Sequence, residues 1–584
     1  MWRRRVAVGL VEPPAALLAS ERLAVGFLEL ATPVRILDRR EVLEHLLPLT
    51  RTWGVRDPRS KRALLCLLQS YPQCFTDEAK ELLRTELVSA GRLDQLAAGF
   101  SCLGWRTSVR PRPTHPIPPE TPVVVNDASG MSPTLVHEVV AIDSVERVRK
   151  SIGGARARGL SVSVAGTRHS EGGQSSAAGS LNLDMMGLRG AELLDDGRHV
   201  RVGAGATWAE VQARLLPAGR AVKVMQTSNI FSVGGSLSVN CHGRTPGVPP
   251  IIATVRSLTL VNADGELRLC GREQNRELFR HAIGGYGLFG VIVEAELETT
   301  DDPFCRMEVE LLAAREYPSA FAATLADPTV ELVFGRLAPT LNGEALIYRV
   351  HRVDDAPAVQ GGTREAQASA LWHFALEASK HGRPLLALRW ALERRTRSQG
   401  ELARRNDFMA ASVASLRQYR LNEGRAVEIL HEYYVPRARY WDFVEGLDAV
   451  QRNLGLCSLN ITIRDVGRDE ESALPYARED SFAFSLYYRQ VLRRDAIAQQ
   501  GALQRALIDL AVSLGGTFYL PYQLHYAEAQ LLAAYPGIDA FWQAKHRLDP
   551  EGVFSNTFFE RYGRQPGTAA ALGPTKDRTR APSR

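Results

Sequence analysis

Ser161–Leu183, SVSVAGTRHSEGGQSSAAGSLNL, is the stretch on which the reading of this chain turns. Its first residues alternate small and β-branched side chains as a strand does. A turn rich in Gly, Ser and Thr follows, and Leu181–Leu183 resumes strand character. Such a loop leaves few side chains between its backbone N–H groups and whatever lies against it. That suits a diphosphate, which needs several convergent donors at close range. Among the larger side chains of the run, His169 is the one with nucleophilic chemistry to offer.

Working outward, His199–Gly203 reads as a strand and Trp208–Leu216 as a helix, within VRVGAGATWAEVQARLLPAG. A second run of small residues, SVGGSLSVNCHG, occupies Ser232–Gly243, where Ser236, Ser238 and Asn240 can donate hydrogen bonds. Thr254–Leu269, TVRSLTLVNADGELRL, is a hairpin pattern with Asp264-Gly265 at its turn. A third glycine-rich phrase, IGGYGLFGVIVE, spans Ile283–Glu294. Near the C-terminus, FWQAKHRLDPEGVFSN at Phe541–Asn556 reads as a helix stopped by Asp549-Pro550.

AGTRHSEGGQ at 165–174 resembles the flavin loop of the vanillyl-alcohol-oxidase type FAD enzymes, a family that includes L-gulonolactone oxidase, alditol oxidase and cytokinin dehydrogenase. The later phrases follow that family's order. The resemblance implies an α+β fold: a two-part PCMH-type FAD-binding domain with an α+β cap, or substrate, domain. It implies FAD as cofactor, met by Ala165, Gly166, Thr167, Arg168, His169, Ser170, Gly173 and Gln174 of the first loop. The second loop would add Gly234, Gly235, Ser236, Ser238, Asn240, His242 and Gly243, and the third segment Gly287, Gly290, Val291 and Ile292. Asp549-Pro550 through Phe554-Ser555-Asn556 resembles the phrase that closes the family's FAD domain, with Asn556 near the cofactor. In several members a histidine at the position of His169 carries FAD through its 8-methyl group. Others bind FAD without that bond, and there the histidine only hydrogen-bonds the loop. Gln226–Val233 lacks the cysteine that doubly linked relatives place before their second loop, and Cys241 reads as a small buried filler.

Composition agrees. The 584 residues suffice for two to four domains, and 45% hydrophobic with 23% charged residues is ordinary for globular proteins. A net charge of +6 suits an anionic cofactor and makes no case for nucleic acid, for which no motif occurs. Seven scattered cysteines form neither a disulfide framework nor a Cys-x-x-Cys pair, which fits a reducing compartment and a cytoplasmic location. The N-terminal MWRRRVAVGLVEPPAALLAS starts with arginines, but Glu12-Pro13-Pro14 breaks its apolar run.

The expected organisation is a helical N-terminal extension over residues 1–108, a Pro-rich linker over 109–122 and the FAD-binding domain over 123–300. The cap follows over 301–515, a return to the FAD domain over 516–563, and a disordered tail over 564–584. Lys380–Arg405 holds eight Lys or Arg against two Glu with leucines interleaved. Such a helix can lie on a membrane, but a solvated face packed on a core is the commoner fate and the reading adopted.

Oxidising an alcohol requires a group that takes or holds the hydroxyl proton. GGTFYLPYQLHYA at 515–527 resembles the return strand of the decaprenylphosphoryl-ribose oxidase group, which has Tyr-Leu-Ala-Lys where this chain has Tyr519-Leu520-Pro521-Tyr522. Tyr522 and His525 are therefore the candidates for proton acceptor or substrate anchor, or else aromatic strand residues that pack on the core. Asn460, Thr462 and Arg464 alternate along one strand face, Tyr487, Tyr488 and Arg489 cluster, and Arg489 is a candidate for holding an anion. The expected function is an FAD-dependent oxidoreductase taking hydride from the CH–OH group of a small polyol, sugar or lactone-like alcohol, with O₂ or another electron acceptor. The alternatives are a flavin enzyme acting on a C=C bond or a lipid-linked sugar beside a partner reductase, and a flavin-fold binding module without turnover.

Overall fold

A small parallel sheet carries the first glycine-rich loop. The computed structural model describes residues 123–354, 379–380, 382–395, 400–410 and 426–563, all within one unit beginning at Glu120. The extension expected at 1–108, the linker at 109–122 and the tail at 564–584 lie outside the described residues. Strands β1 (Val123–Val125) and β2 (Thr134–Val136) pair as an antiparallel ribbon. Next, β3 (Glu138–Ala141), β4 (Val162–Ala165) and β5 (Leu181–Asp184) form a parallel sheet with β5 in the centre. The crossover from β3 to β4 is α1 (Val145–Ala157), capped by the Ser144 side chain accepting from Arg147 N. Val148, Ile152 and Ala155 recur at helical spacing on its buried face.

A six-stranded antiparallel sheet follows, in the order β10-β9-β11-β7-β6 with β8 added to β11. Its strands are β6 (Ala191–Leu193), β7 (His199–Gly203), β8 (Arg220–Val222), β9 (Val255–Val261), β10 (Leu267–Gly271) and β11 (Val291–Asp301). Helix α2 (Trp208–Leu215) starts with a Thr207/Glu210 capping box and buries Trp208, Val211 and Leu215. The second glycine-rich stretch is helical in part, as α3 (Val233–Ser238). Both β-layers mix with helices, so the α+β reading of this domain holds.

The rest of the described chain is built on one eight-stranded sheet, ordered β15-β12-β14-β13-β17-β18-β16-β19. The strands are β12 (Phe304–Ala313), β13 (Val330–Leu337), β14 (Glu344–Arg352), β15 (Leu402–Arg404), β16 (Ala426–Pro436), β17 (Asn460–Val466), β18 (Ser481–Val491) and β19 (Thr517–Phe518). Period-two alternation gives this sheet two unlike faces. Ile461, Ile463, Phe484, Leu486 and Tyr433 pack in a core with Phe443 and Leu447 of α4 (Tyr440–Asn453) and Leu503 and Leu507 of α5 (Arg494–Ser513). The opposite face presents Asn460, Thr462 and Arg464 beside Tyr487 and Ser485. The basic run expected over 380–405 is helical over Arg383–Glu393, with Trp390 and Arg389 buried and Leu385 and Leu388 exposed.

The chain ends by rejoining the parallel sheet. Val162 N donates to Val553 O at 2.6 Å and Ser555 N to Val162 O at 3.0 Å, which lays Phe554 alongside β4. The buried Lys545–Asp549 pair fixes this turn, because Asp549 also accepts from Val553 N and Phe554 N at 2.8 Å. No helix among the described residues is long and apolar enough to cross a membrane.

Candidate functional site

Close backbone approaches bring the three glycine-rich segments together. A Cβ on Gly166 would overlap Ser232 Oγ and stand 3.1 Å from Ser232 Cβ, so the absent side chain is what lets the first loop reach the start of α3. Ser232 N donates to Thr167 Oγ1 at 3.3 Å across the same contact. Tyr286 N of the third segment donates to Ser238 O at 2.9 Å, and Gly284 N to Leu237 O at 3.0 Å. Gly290 adopts φ 143°, and a Cβ there would fall 2.8 Å from Leu260 Cδ1, which brings Val291 and Ile292 onto β9.

Within the first loop, Ala165 ends β4 and Arg168 adopts φ 59°. The Arg168 guanidinium donates to Asn182 Oδ1 at 2.5 Å, and the buried Asn182 amide donates to Ser175 O at 2.8 Å. One polar residue inside a buried strand thus grips both ends of the loop, a role unmarked in the sequence. The His169 ring lies tilted by 43° against Phe231 with centroids 4.4 Å apart, and Ser170 is half-buried after it. Gly173 N donates to Asp127 Oδ2 at 2.7 Å, and Gln174 Nε2 donates to Leu520 O at 2.7 Å, tying the loop to the returning chain.

In the second segment a Cβ on Gly234 would stand 2.8 Å from Ala204 Cβ, and one on Gly235 2.9 Å from Ser232 Oγ. The Ser236 hydroxyl accepts from Trp208 Nε1, and Ser238 Oγ donates to Gly234 O. Asn240 donates to Asp469 and accepts from Ile252 N, so its amide is engaged within the protein. A Cβ on Gly243 would stand 2.9 Å from Met225 O. Asn556 caps the helix Thr557–Tyr562, accepting from Phe559 N and donating to Tyr286 O at 2.8 Å next to Gly287. Asn556 thereby anchors the third segment.

Beside this cradle, Thr227 Oγ1, Ser228 Oγ, Asn229 Oδ1 and Ser232 Oγ are buried and have no partner among the described residues. Leaving such atoms unpaired costs about 1–3 kcal/mol each. Three hydroxyls and an amide oxygen at the mouth of a glycine cradle fit a ligand rich in phosphate and ring heteroatoms, as FAD is.

The polar face of the eight-stranded sheet meets the cradle at His242. His242 and Glu432 are 4% and 3% exposed, and His242 Nε2 lies 3.3 Å from Glu432 Oε1. Ser485 Oγ donates to Glu432, and Tyr522 Oη lies 3.4 Å from Glu432 Oε2. Burial pushes the Glu432 carboxyl up, but His242, Arg464 and Ser485 outweigh it and hold it at about 2. The rings of Tyr434, Tyr476 and Tyr519 surround His242 at 5.6, 6.2 and 6.3 Å. With Nε2 turned to Glu432, His242 Nδ1 is buried without a partner among the described residues. Next to Glu171 N, which donates to Pro521 O, burial pushes the Glu171 carboxyl well up, with nearby Asp127 adding to it; Glu171 accepts from Leu430 N at 2.9 Å.

The two residues singled out for proton transfer part company. Tyr522 lies at Glu432, whereas His525 packs against Gly501 of α5, where a Cβ would stand 3.3 Å from its ring. Burial, with Arg561 and Arg505 adding to it, lowers His525 to about 4. Arg489 Nε is buried without a partner among the described residues, and Tyr488 faces the helical core. Glu432 escaped the sequence reading because nothing in its local pattern, HEYY, sets it apart from a buried strand residue.

Comparison with known proteins bears on the cradle. Residues 136–271 match the family model of an FAD-binding domain. The chain is 34% identical over 163 residues to an uncharacterised oxidoreductase of the fasciation locus of Rhodococcoides fascians, covering 28% of this chain and 37% of that protein. It is 31% identical over 175 residues to cytokinin dehydrogenase 5 of Arabidopsis thaliana, covering 29% and 32%. A longer match, 24% identical over 382 residues, covers 62% of this chain and 80% of the alditol oxidase of a Streptomyces strain. The chain thus spans about a third of the length of the first two relatives. The first two glycine segments fall within the matched residues, and the orphaned polar atoms fit the cofactor. Residues 136–271 therefore belong to an FAD-binding domain like that of the FAD-linked oxidases, and the cofactor is FAD.

Proposed function

We propose that this protein is an FAD-dependent oxidoreductase that oxidises the CH–OH group of a small polyol, sugar or lactone-like alcohol. The eight-stranded sheet serves as its substrate-covering cap. The observation that carries this reading is the buried His242–Glu432 pair, which faces the glycine cradle from inside a tyrosine cage. FAD held in the cradle supplies the hydride acceptor. His242 Nδ1 takes the hydroxyl proton, while Glu432 holds Nε2 and so fixes the ring and its tautomer. Ser485 fixes Glu432 in turn, and Tyr434, Tyr476 and Tyr519 keep water from the imidazole.

The test is anaerobic bleaching of the purified yellow protein by a panel of alditols, aldoses and lactones. Acid precipitation alongside it shows whether the colour stays with the polypeptide and leaves with His169→Ala. His242→Gln and Glu432→Gln should slow bleaching by roughly 10²–10⁴-fold and 10-fold or more respectively, with flavin content unchanged. A protein that cannot be loaded with FAD, or variants that bleach at the normal rate, would sink the reading. The lipid-linked alternative has in its favour the exposed Leu385 and Leu388 of the basic helix, and it requires binding to liposomes.

A further inference from the structure

Three guanidinium groups meet on the polar face of the eight-stranded sheet. Arg336 of β13 is the cross-strand partner of Thr462 on β17, and Arg464 lies two residues further along the same face. Arg244 follows the second glycine segment. Its carbonyl accepts from Val333 N at 2.8 Å, and its guanidinium lies 4.2 Å over the ring of Phe334, which shares the face of Arg336. The countercharge is incomplete. Arg336 pairs with Glu393 at 2.9 Å and Arg464 acts on the Glu432 carboxylate, but neither Arg244 nor Arg464 forms an ion pair among the described residues. The Nε atoms of Arg244, Arg336 and Arg464 are all buried without a hydrogen-bond partner among those residues. Burial, with Arg464 and Arg336 adding to it, lowers Arg244 to about 9, as expected of like charges crowded together away from water.

A half-buried cluster of guanidinium groups whose buried Nε donors are unused is costly unless an anion completes it, even with Arg244 donating to Phe408 O at 2.6 Å, and the planar N–H fork matches carboxylate and phosphate oxygens. We propose that Arg244, Arg336 and Arg464 bind a carboxylate or phosphate on the substrate, so that the alcohol oxidised here is an anionic one. The inference rests on the oxidoreductase reading given above and narrows it. The sheet register fixes the span. Thr462 faces Ser485 and Ser485 faces Glu432, the partner of His242. With strands about 4.8 Å apart, Arg464 stands two strands and Arg336 three strands from Glu432, roughly 10 and 14 Å between backbones. The long arginine side chains shorten that gap, which leaves the span of a sugar acid or a sugar-alcohol phosphate of about four to six carbons.

The test uses the flavin-loaded protein with sorbitol, gluconate and sorbitol 6-phosphate, read by titration calorimetry and by anaerobic bleaching. At least one of the two anions should bind tenfold or more tighter than sorbitol, and which one does so tells carboxylate from phosphate. Inorganic phosphate should compete with it, and added KCl should weaken it. Arg336→Gln and Arg464→Gln should each weaken the anion at least tenfold, and Arg464→Lys less than Arg464→Gln. The competition and salt arms need no variant, so a variant that fails to fold leaves the proposal testable. Sorbitol binding as well as both anions, or phosphate failing to compete, overturns it. So does a loss of FAD from the glutamine variants while the loaded fraction binds anion normally, since the arginines would then serve the cofactor. Tight anion binding without bleaching by any alcohol would sink the oxidoreductase reading and keep the anion site. Bleaching by sorbitol that phosphate leaves unchanged would do the reverse.

Discussion

Replacing Gly166 with alanine should weaken FAD binding through one identifiable contact. The position is free of positive-φ strain, so its backbone accepts alanine and the cost is steric. The new methyl would overlap Ser232 Oγ, which a rotamer change can move aside, but it would still stand 3.1 Å from Ser232 Cβ, which cannot turn away. Overpacking of this kind costs about 1–3 kcal/mol. Thermal melting is a blunt detector, since a unit of several hundred residues shifts by only roughly 1 °C per kcal/mol. FAD affinity is sharper: the same energy corresponds to roughly 5- to 150-fold in Kd when it falls on the apposition of the two loops. The measurement is FAD titration of apoprotein, by flavin fluorescence, in a His169→Ala background so that binding is reversible. Adding Ser232→Ala should restore affinity in part. Adding Ser232→Gly should restore affinity to nearly that of Ser232→Gly alone, because the next atom, Gly235 N, is 4.0 Å away. Ser232→Gly alone should cost the fold little, since Ser232 makes no side-chain cap bond at the start of α3, while removing one hydroxyl offered to FAD. Normal FAD affinity in Gly166→Ala, or no recovery with Ser232→Gly, would refute the claim that this approach shapes the cradle.

Glu171→Gln should stabilise the protein at pH 8. Burial raises the folded value above the unfolded one, so the ionised carboxylate burdens the fold at high pH, and the burden is relieved as pH falls. The amide can still accept from Leu430 N, and its melting temperature should exceed that of the parent at pH 8, with the gap closing toward pH 5. Glu432 has the opposite sign. Its value is held at about 2, so its stabilisation is complete above roughly pH 4.5 and lost between there and pH 2, and Glu432→Gln should flatten that part of the acid-unfolding profile. Asn556→Ala removes a helix cap and leaves Tyr286 O buried without its donor, for about 2–4 kcal/mol together. Hydrogen exchange should quicken at residues 284–290, and unchanged protection there would deny the anchoring role.

The sequence by itself determined what is local. Glycines and small hydroxyl residues at 165–174, 232–243 and 283–294 have a backbone chemistry that needs no partner to be recognised, and their order along the chain marks the flavin domain. Alternation along Asn460–Arg464 is local too, and it put the three polar side chains on one face. Tertiary structure alone decided who meets whom. Glu432 reaches His242 because β16 and the second glycine segment, nearly two hundred residues apart, are brought together by packing. Arg244 joins Arg336 and Arg464 for the same reason. Tyr522 and His525 are three residues apart, yet one reaches the polar face and the other the helical core, because the chain turns between them. Local pattern fixes which groups a segment can offer, whereas the electrostatic worth of a buried charge depends on neighbours that only the folded chain supplies.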